Sequence, residues 1–148
     1  MDEQNTVQVL NPEADNTQPQ SCRLDEQSVC FSFRYLTQNR KHNFEFLGSG
    51  DGARLARRLL TSLAEISRFT WSELERKGKM HGGYEEIPAS KLRAEITDQI
   101  DLDLPEDLQL LVFRFGNGRM LGIKDPSCTS VFFVLGFDWD YSLYNHGS

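Results

Sequence analysis

Three groups of side chains in this 148-residue chain combine residue types and spacings that can do chemistry. The first is the segment Lys79-Met80-His81-Gly82-Gly83-Tyr84-Glu85-Glu86. An imidazole exchanges protons near neutral pH, so His81 is a candidate general acid or base, with Tyr84 or Glu85 to orient it. The same residues also read as a surface turn that Tyr84 and Ile87 pin to a core. The second group runs from Phe137 to His146. Asp138 and Asp140 lie two apart and share a face in extended backbone, as ligands of a hard cation would. No third ligand accompanies them, and a turn capped by aromatic packing is the plainer reading. Neither a metal nor a cofactor is expected. Tyr144 and His146, at the end of this segment, are candidate acid and base groups. The third group is cationic: Arg114, Arg119 and Lys124. With Arg54, Arg57 and Arg58 they would form an anion-binding surface for phosphate, or else an ordinary solvated face.

Several enzyme classes are set aside by what is missing. The chain has no G-x-x-x-x-G-K-[ST], G-x-G-x-x-G, H-E-x-x-H or G-x-S-x-G, which argues against nucleotide hydrolases, dinucleotide enzymes, zinc proteases and serine hydrolases. A formal net charge of −6 argues against broad nucleic-acid binding. That charge is uneven. Asp2, Glu3, Glu13, Asp15, Asp25 and Glu26 face only Arg23 in residues 1–27, so the rest of the chain is close to neutral and has room for a basic patch. No run approaches the ~18 apolar residues of a membrane span, and the N-terminus lacks the basic-then-apolar order of a signal peptide. A cytoplasmic protein with no membrane partner is the expectation. Cys22, Cys30 and Cys128 are widely spaced and include no C-x-x-C pair, so neither a disulfide framework nor a zinc site is indicated. Cys30 and Cys128 read as small packing residues.

The elements that must position these groups follow from periodicity. Residues 1–27, rich in Gln, Asn, Asp and Glu, bury too little to offset ordering entropy and read as an acidic, disordered tail. Residues 28–148 read as one α+β domain. Val29, Phe31, Phe33 and Tyr35 alternate with Ser32 and Arg34. The alternation resumes at Asn43-Phe44-Glu45-Phe46 after a polar turn, which predicts an N-terminal β-hairpin. A helix over 53–68 puts Leu55, Leu59, Leu63 and Ile66 on one stripe. Thr70-Trp71-Ser72-Glu73 is a capping box for a short helix to Lys77 that buries Trp71 and Leu74. After a glycine-rich loop and an undecided stretch from Ile87 to Ile100, a three-stranded meander begins at Leu108. Its first turn is placed at Asn117-Gly118, and its last strand, a nearly unbroken apolar run, is expected to be central and covered on both faces. The fold class is therefore α+β: a mainly antiparallel sheet, from hairpin and meander, with one long and one short helix on one face.

Two blocks carry a resemblance. Thr70-Trp71 through Gly83-Tyr84-Glu85-Glu86-Ile87 is one. The other comprises Phe113-Arg114-Phe115, Arg119 through Asp125, Phe133 through Asp138, and Leu143-Tyr144-Asn145-His146-Gly147. Together they resemble a family of small, mostly uncharacterised bacterial proteins, and the order of elements is similar to that of the RelE/ParE-like toxins of toxin–antitoxin modules. The resemblance implies an mRNA-cleaving endoribonuclease acting with the ribosome and held by a cognate antitoxin. Arg114, Arg119 and Lys124 would stabilise charge, and Tyr144 and His146 would move protons. The alternative is a non-enzymatic accessory protein, defence- or phage-associated, that binds a protein partner. The acidic charge favours the second reading.

Overall fold

The computed structural model describes residues 27–140. The acidic tail therefore lies outside the described residues, except for its last position. A five-stranded sheet in the order β1-β5-β4-β3-β2 organises the molecule. Its strands are β1 (Cys30–Ser32), β2 (Tyr84–Pro88), β3 (Gln109–Phe115), β4 (Gly118–Asp125) and β5 (Cys128–Asp138). Three helices accompany it: α1 (Gly52–Ile66), α2 (Trp71–Lys77) and the short α3 (Ala94–Thr97). The class is α+β and the sheet is mostly antiparallel, with one parallel pair, β1 on β5.

The meander β3-β4-β5 forms as the strand pattern implies, with one correction to its first turn. Phe115 pairs with Gly118, so the two-residue loop is Gly116-Asn117 rather than Asn117-Gly118. Gly116 takes the positive φ, at 63°, a conformation open to glycine at little cost. Gly118 is used differently. The Phe115 ring lies 2.5 Å from where its Cβ would stand.

Alternate residues of β3 point to opposite sides. Leu111, Phe113 and Phe115 join a cluster with Leu59, Ile66, Trp71 and Leu74 from α1 and α2. Leu110 and Val112 join Ile87, Leu92, Ile96 and Ile100 on the other face. The segment Tyr84–Pro88 forms an edge strand, β2, that begins in the stretch read as a loop, and the undecided stretch beyond it supplies a cover that includes α3. The long and the short helix, α1 and α2, share one face as expected, and α3 is an additional element on the other. β5 is covered on both sides, by Phe132 and Val134 against the first cluster and Leu135 against the second.

The N-terminal hairpin does not form. β1 is three residues long and runs parallel to β5, with Cys30 opposite Val131. The alternation stops at a turn in which Leu36 N–H donates to Phe33 O (3.1 Å). Its intended partner strand is a 3-10 turn, Phe44–Gly48, because the Asn43 side chain caps it by accepting from Glu45 N–H. A local cap here outweighs a two-residue period. Phe46 instead stacks on Trp139 at 6.0 Å.

The helices follow local rules. In α1, Leu59 and Ile66 are buried and Leu55 and Leu63 pack against the core, which is the expected stripe. The capping box of α2 is complete: Thr70 Oγ1 accepts from Glu73 N–H and Thr70 N–H donates to Glu73 Oε1. One cysteine departs from expectation. Cys30 is free, but Cys128 is disulfide-bonded. No helix among the described residues is long and apolar enough to cross a membrane.

Candidate functional site

His81 and Arg114 line the same cleft. His81 ends a 3-10 turn, Lys79–His81, that closes on one carbonyl: His81 N–H and Gly83 N–H both donate to Gly78 O, at 3.1 and 2.8 Å. The paired glycines make this possible, since Gly82 sits at φ 93° and a Cβ on Gly83 would stand 2.6 Å from Leu74 O. Arg114 projects from β3 beside the end of β2, which reaches only as far as Phe113. Between them lies a cleft of about 300 Å³ lined also by Arg68, Lys77, Glu65 and Phe69.

The electrostatics of this cleft are unbalanced. Arg68, Lys77 and Arg114 face one carboxylate, Glu65, and none of the three cations makes an ion pair among the described residues. Lys77 rests 4.4 Å above the Phe69 ring, a cation–π contact that leaves its N–H groups available. Arg114 is half-buried, and its Nε is fully buried with no hydrogen-bond partner. It also stands directly opposite Arg119 in the β3–β4 ladder, an arrangement of like charges that costs stability.

The other predicted residues are elsewhere. Arg119 is 6% exposed, and its Nη1 donates to the carbonyls of Asn117 and Gly118 at 3.2 and 3.0 Å, tying down the β3–β4 turn. Asp138 is opposite it on β5. Lys124 lies near the far end of β4, with Nζ 4.6 Å above the Trp71 ring. Tyr144 and His146 lie outside the described residues. Tyr84 packs its ring edge-on to Trp71 and Phe113, and Glu85 accepts from Lys79 Nζ at 2.8 Å. Arg54 pairs with Asp51, and with Arg58 it lines a separate groove near Asn117 and Trp139 that does not include Arg114. Asp138 is fully buried and Asp140 exposed, and no cluster of three metal-ligating side chains occurs among the described residues.

A residue absent from the sequence reading is His42. It lies in the polar stretch 37–42 that reads as a turn, yet it is 2% exposed. Its Nδ1 lies 2.9 Å from Phe137 O, and Phe137 N–H donates to His42 O, also at 2.9 Å. Because a carbonyl only accepts, Nδ1 carries the proton. The segment around it is anchored on both sides: Thr37 N–H to Leu135 O, Gln38 N–H to Gln99 O, and Asn43 Nδ2 to Thr37 O. His42 forms the wall of a second, larger cleft of about 600 Å³ with Arg40, Lys41 and Arg93. No sequence signal marks it, because its partner is a backbone carbonyl 95 residues away.

No family model, curated protein or solved structure matches the chain.

Proposed function

We propose that this protein is a non-enzymatic binding module that holds an anionic side chain of a protein partner in the cleft between His81 and Arg114. One observation carries the reading. Three cations that make no ion pair among the described residues, Arg68, Lys77 and Arg114, line one cleft with His81. A carboxylate or phosphate bound by Arg68, Lys77 and the Arg114 guanidinium would gain charge-assisted bonds. At about 300 Å³ the cleft suits one anionic group rather than a long polymer.

RNA cleavage at the same cleft is the second reading, favoured by His81 sharing it with Arg68, Lys77 and Arg114. It has less to work with. A phosphodiester transition state needs cations and two proton-transfer groups converging. Arg119 is committed to turn carbonyls and Lys124 to the Trp71 ring.

Fluorescence anisotropy with the full chain separates the two. The probes are a Glu-rich peptide, its phosphoserine counterpart and a single-stranded RNA of equal charge. The binding reading expects peptide affinity that weakens as salt is raised and falls about tenfold or more in Arg114→Met, as loss of a charged bond implies. The RNA should remain uncut. RNA fragmentation that disappears in His81→Ala, with no peptide binding, would replace it with the second reading.

A further inference from the structure

The buried histidine points to a site of its own. His42 is held at Nδ1 by Phe137 O, which turns that edge of the ring into the sheet. His42 also lines the larger cleft. Nε2 makes no hydrogen bond among the described residues and is not sealed from solvent. A histidine kept only for structure would have its second nitrogen satisfied or exposed at large, since buried polar atoms are rarely left unmet. Here a side chain almost wholly buried stands beside a cleft with one ring nitrogen that makes no hydrogen bond among the described residues.

The surroundings specify the ligand. Arg40, Lys41 and Arg93 bring three positive charges to this cleft against the single carboxylate of Glu95. Arg40 is partly engaged, with Nη2 at 3.4 Å from Glu45. Lys41 and Arg93 make no ion pair among the described residues. The cleft's walls are also fixed. Gln38 N–H to Gln99 O joins the His42 segment to the segment carrying α3, and Gln99 Nε2 donates to Glu95 O at 2.9 Å. A cationic rim over a rigidly tethered imidazole suits an oxyanion that can share a proton with Nε2. A volume of about 600 Å³ leaves space for an organic group beyond the oxyanion, within the usual range of small-molecule sites.

We infer that the His42 cleft is a binding site for a small phosphate monoester, with Lys41 and Arg93 holding the phosphate oxygens and His42 Nε2 bonding the oxygen that carries or receives the proton. This site is separate from the His81–Arg114 cleft and shares none of its lining residues.

The test uses the full chain titrated with phenyl phosphate and with inorganic phosphate, followed by calorimetry and by the His42 ring signals in NMR. His42→Asn is the informative variant. Its amide can replace Nδ1–H toward Phe137 O while nothing remains at the Nε2 position. Binding of phenyl phosphate should shift the His42 ring signals, and affinity should drop about tenfold or more in His42→Asn, the loss expected for one charge-assisted bond. If that variant does not fold, Arg93→Gln, on the exposed rim, carries the same expectation. Arg114→Met should bind phenyl phosphate unchanged. Binding of inorganic phosphate alone would overturn the monoester assignment. His42 signals that stay fixed through both titrations, or unchanged affinity in both cleft variants, would overturn the site.

Discussion

Replacing Arg114 by methionine should make the protein more stable while weakening anion binding in the His81–Arg114 cleft. Arg114 is half-buried, its Nε has no acceptor, and it lies directly opposite Arg119 across the β3–β4 ladder. An unmet buried donor costs roughly 1–3 kcal/mol, and like charges directly opposite in a sheet add a few tenths to about 1 kcal/mol. Methionine keeps an unbranched apolar stem of similar reach, so most of the packing along the arginine's methylenes survives. Some rearrangement and lost cleft contacts offset the gain, leaving a net stabilisation of about 1–2 kcal/mol. For a chain of this length that corresponds to roughly 3–6 °C in melting temperature. Urea unfolding followed by fluorescence of Trp71 and Trp139 gives the free energy and the slope together, and an unchanged slope shows that the denatured state is not responsible. Arg119→Met is the control. It removes two bonds to the Asn117 and Gly118 carbonyls and the cation opposite Asp138, so it should lose about 2–3 kcal/mol. If Arg114→Met is neutral or destabilising, the idea that this arginine is held at a cost for binding is wrong.

Three further outcomes test the scaffold, each by the same urea unfolding. Trp71→Ala should cost about 3–5 kcal/mol, because the ring is 1% exposed and meets Tyr84, Phe113 and Phe132 at centroid distances of 5.9, 6.2 and 5.8 Å. Gly122→Ala should cost about 1–3 kcal/mol, since a Cβ there collides with Phe133 O and stands 2.7 Å from the Phe132 ring. Thr70→Ala removes the cap of α2 and should cost about 1 kcal/mol. A fully stable Trp71→Ala or Gly122→Ala would contradict the packing described.

What the sequence disclosed was local. The Thr70–Glu73 capping box and the Leu55-Leu59-Leu63-Ile66 stripe are set by neighbours three or four positions away, and both are present. The meander was legible for the same reason, although its turn slid by one residue. Gly116-Asn117 and Asn117-Gly118 both fit a two-residue loop, and only the Phe115 ring over Gly118 decides between them. What depended on distant partners was hidden. β1 pairs with a strand about a hundred positions on, so its alternation looked like half of a hairpin. Among the site residues, His81 and Arg114 were recognisable by type, and their place in one cleft arises from β2 pairing with β3. The burial of Arg119 and the seating of Lys124 on Trp71 depend on strand order and face. His42 was invisible because its anchor is the carbonyl of Phe137.

The most direct measurement follows the Nε–H signal of Arg114 in the ¹H–¹⁵N spectrum while a Glu-rich peptide is added to the full chain. If the cleft holds an anionic side chain, that signal shifts in step with peptide binding. A signal unmoved at peptide concentrations that saturate other changes in the spectrum would show that the anion binds elsewhere, and the proposed function would fail.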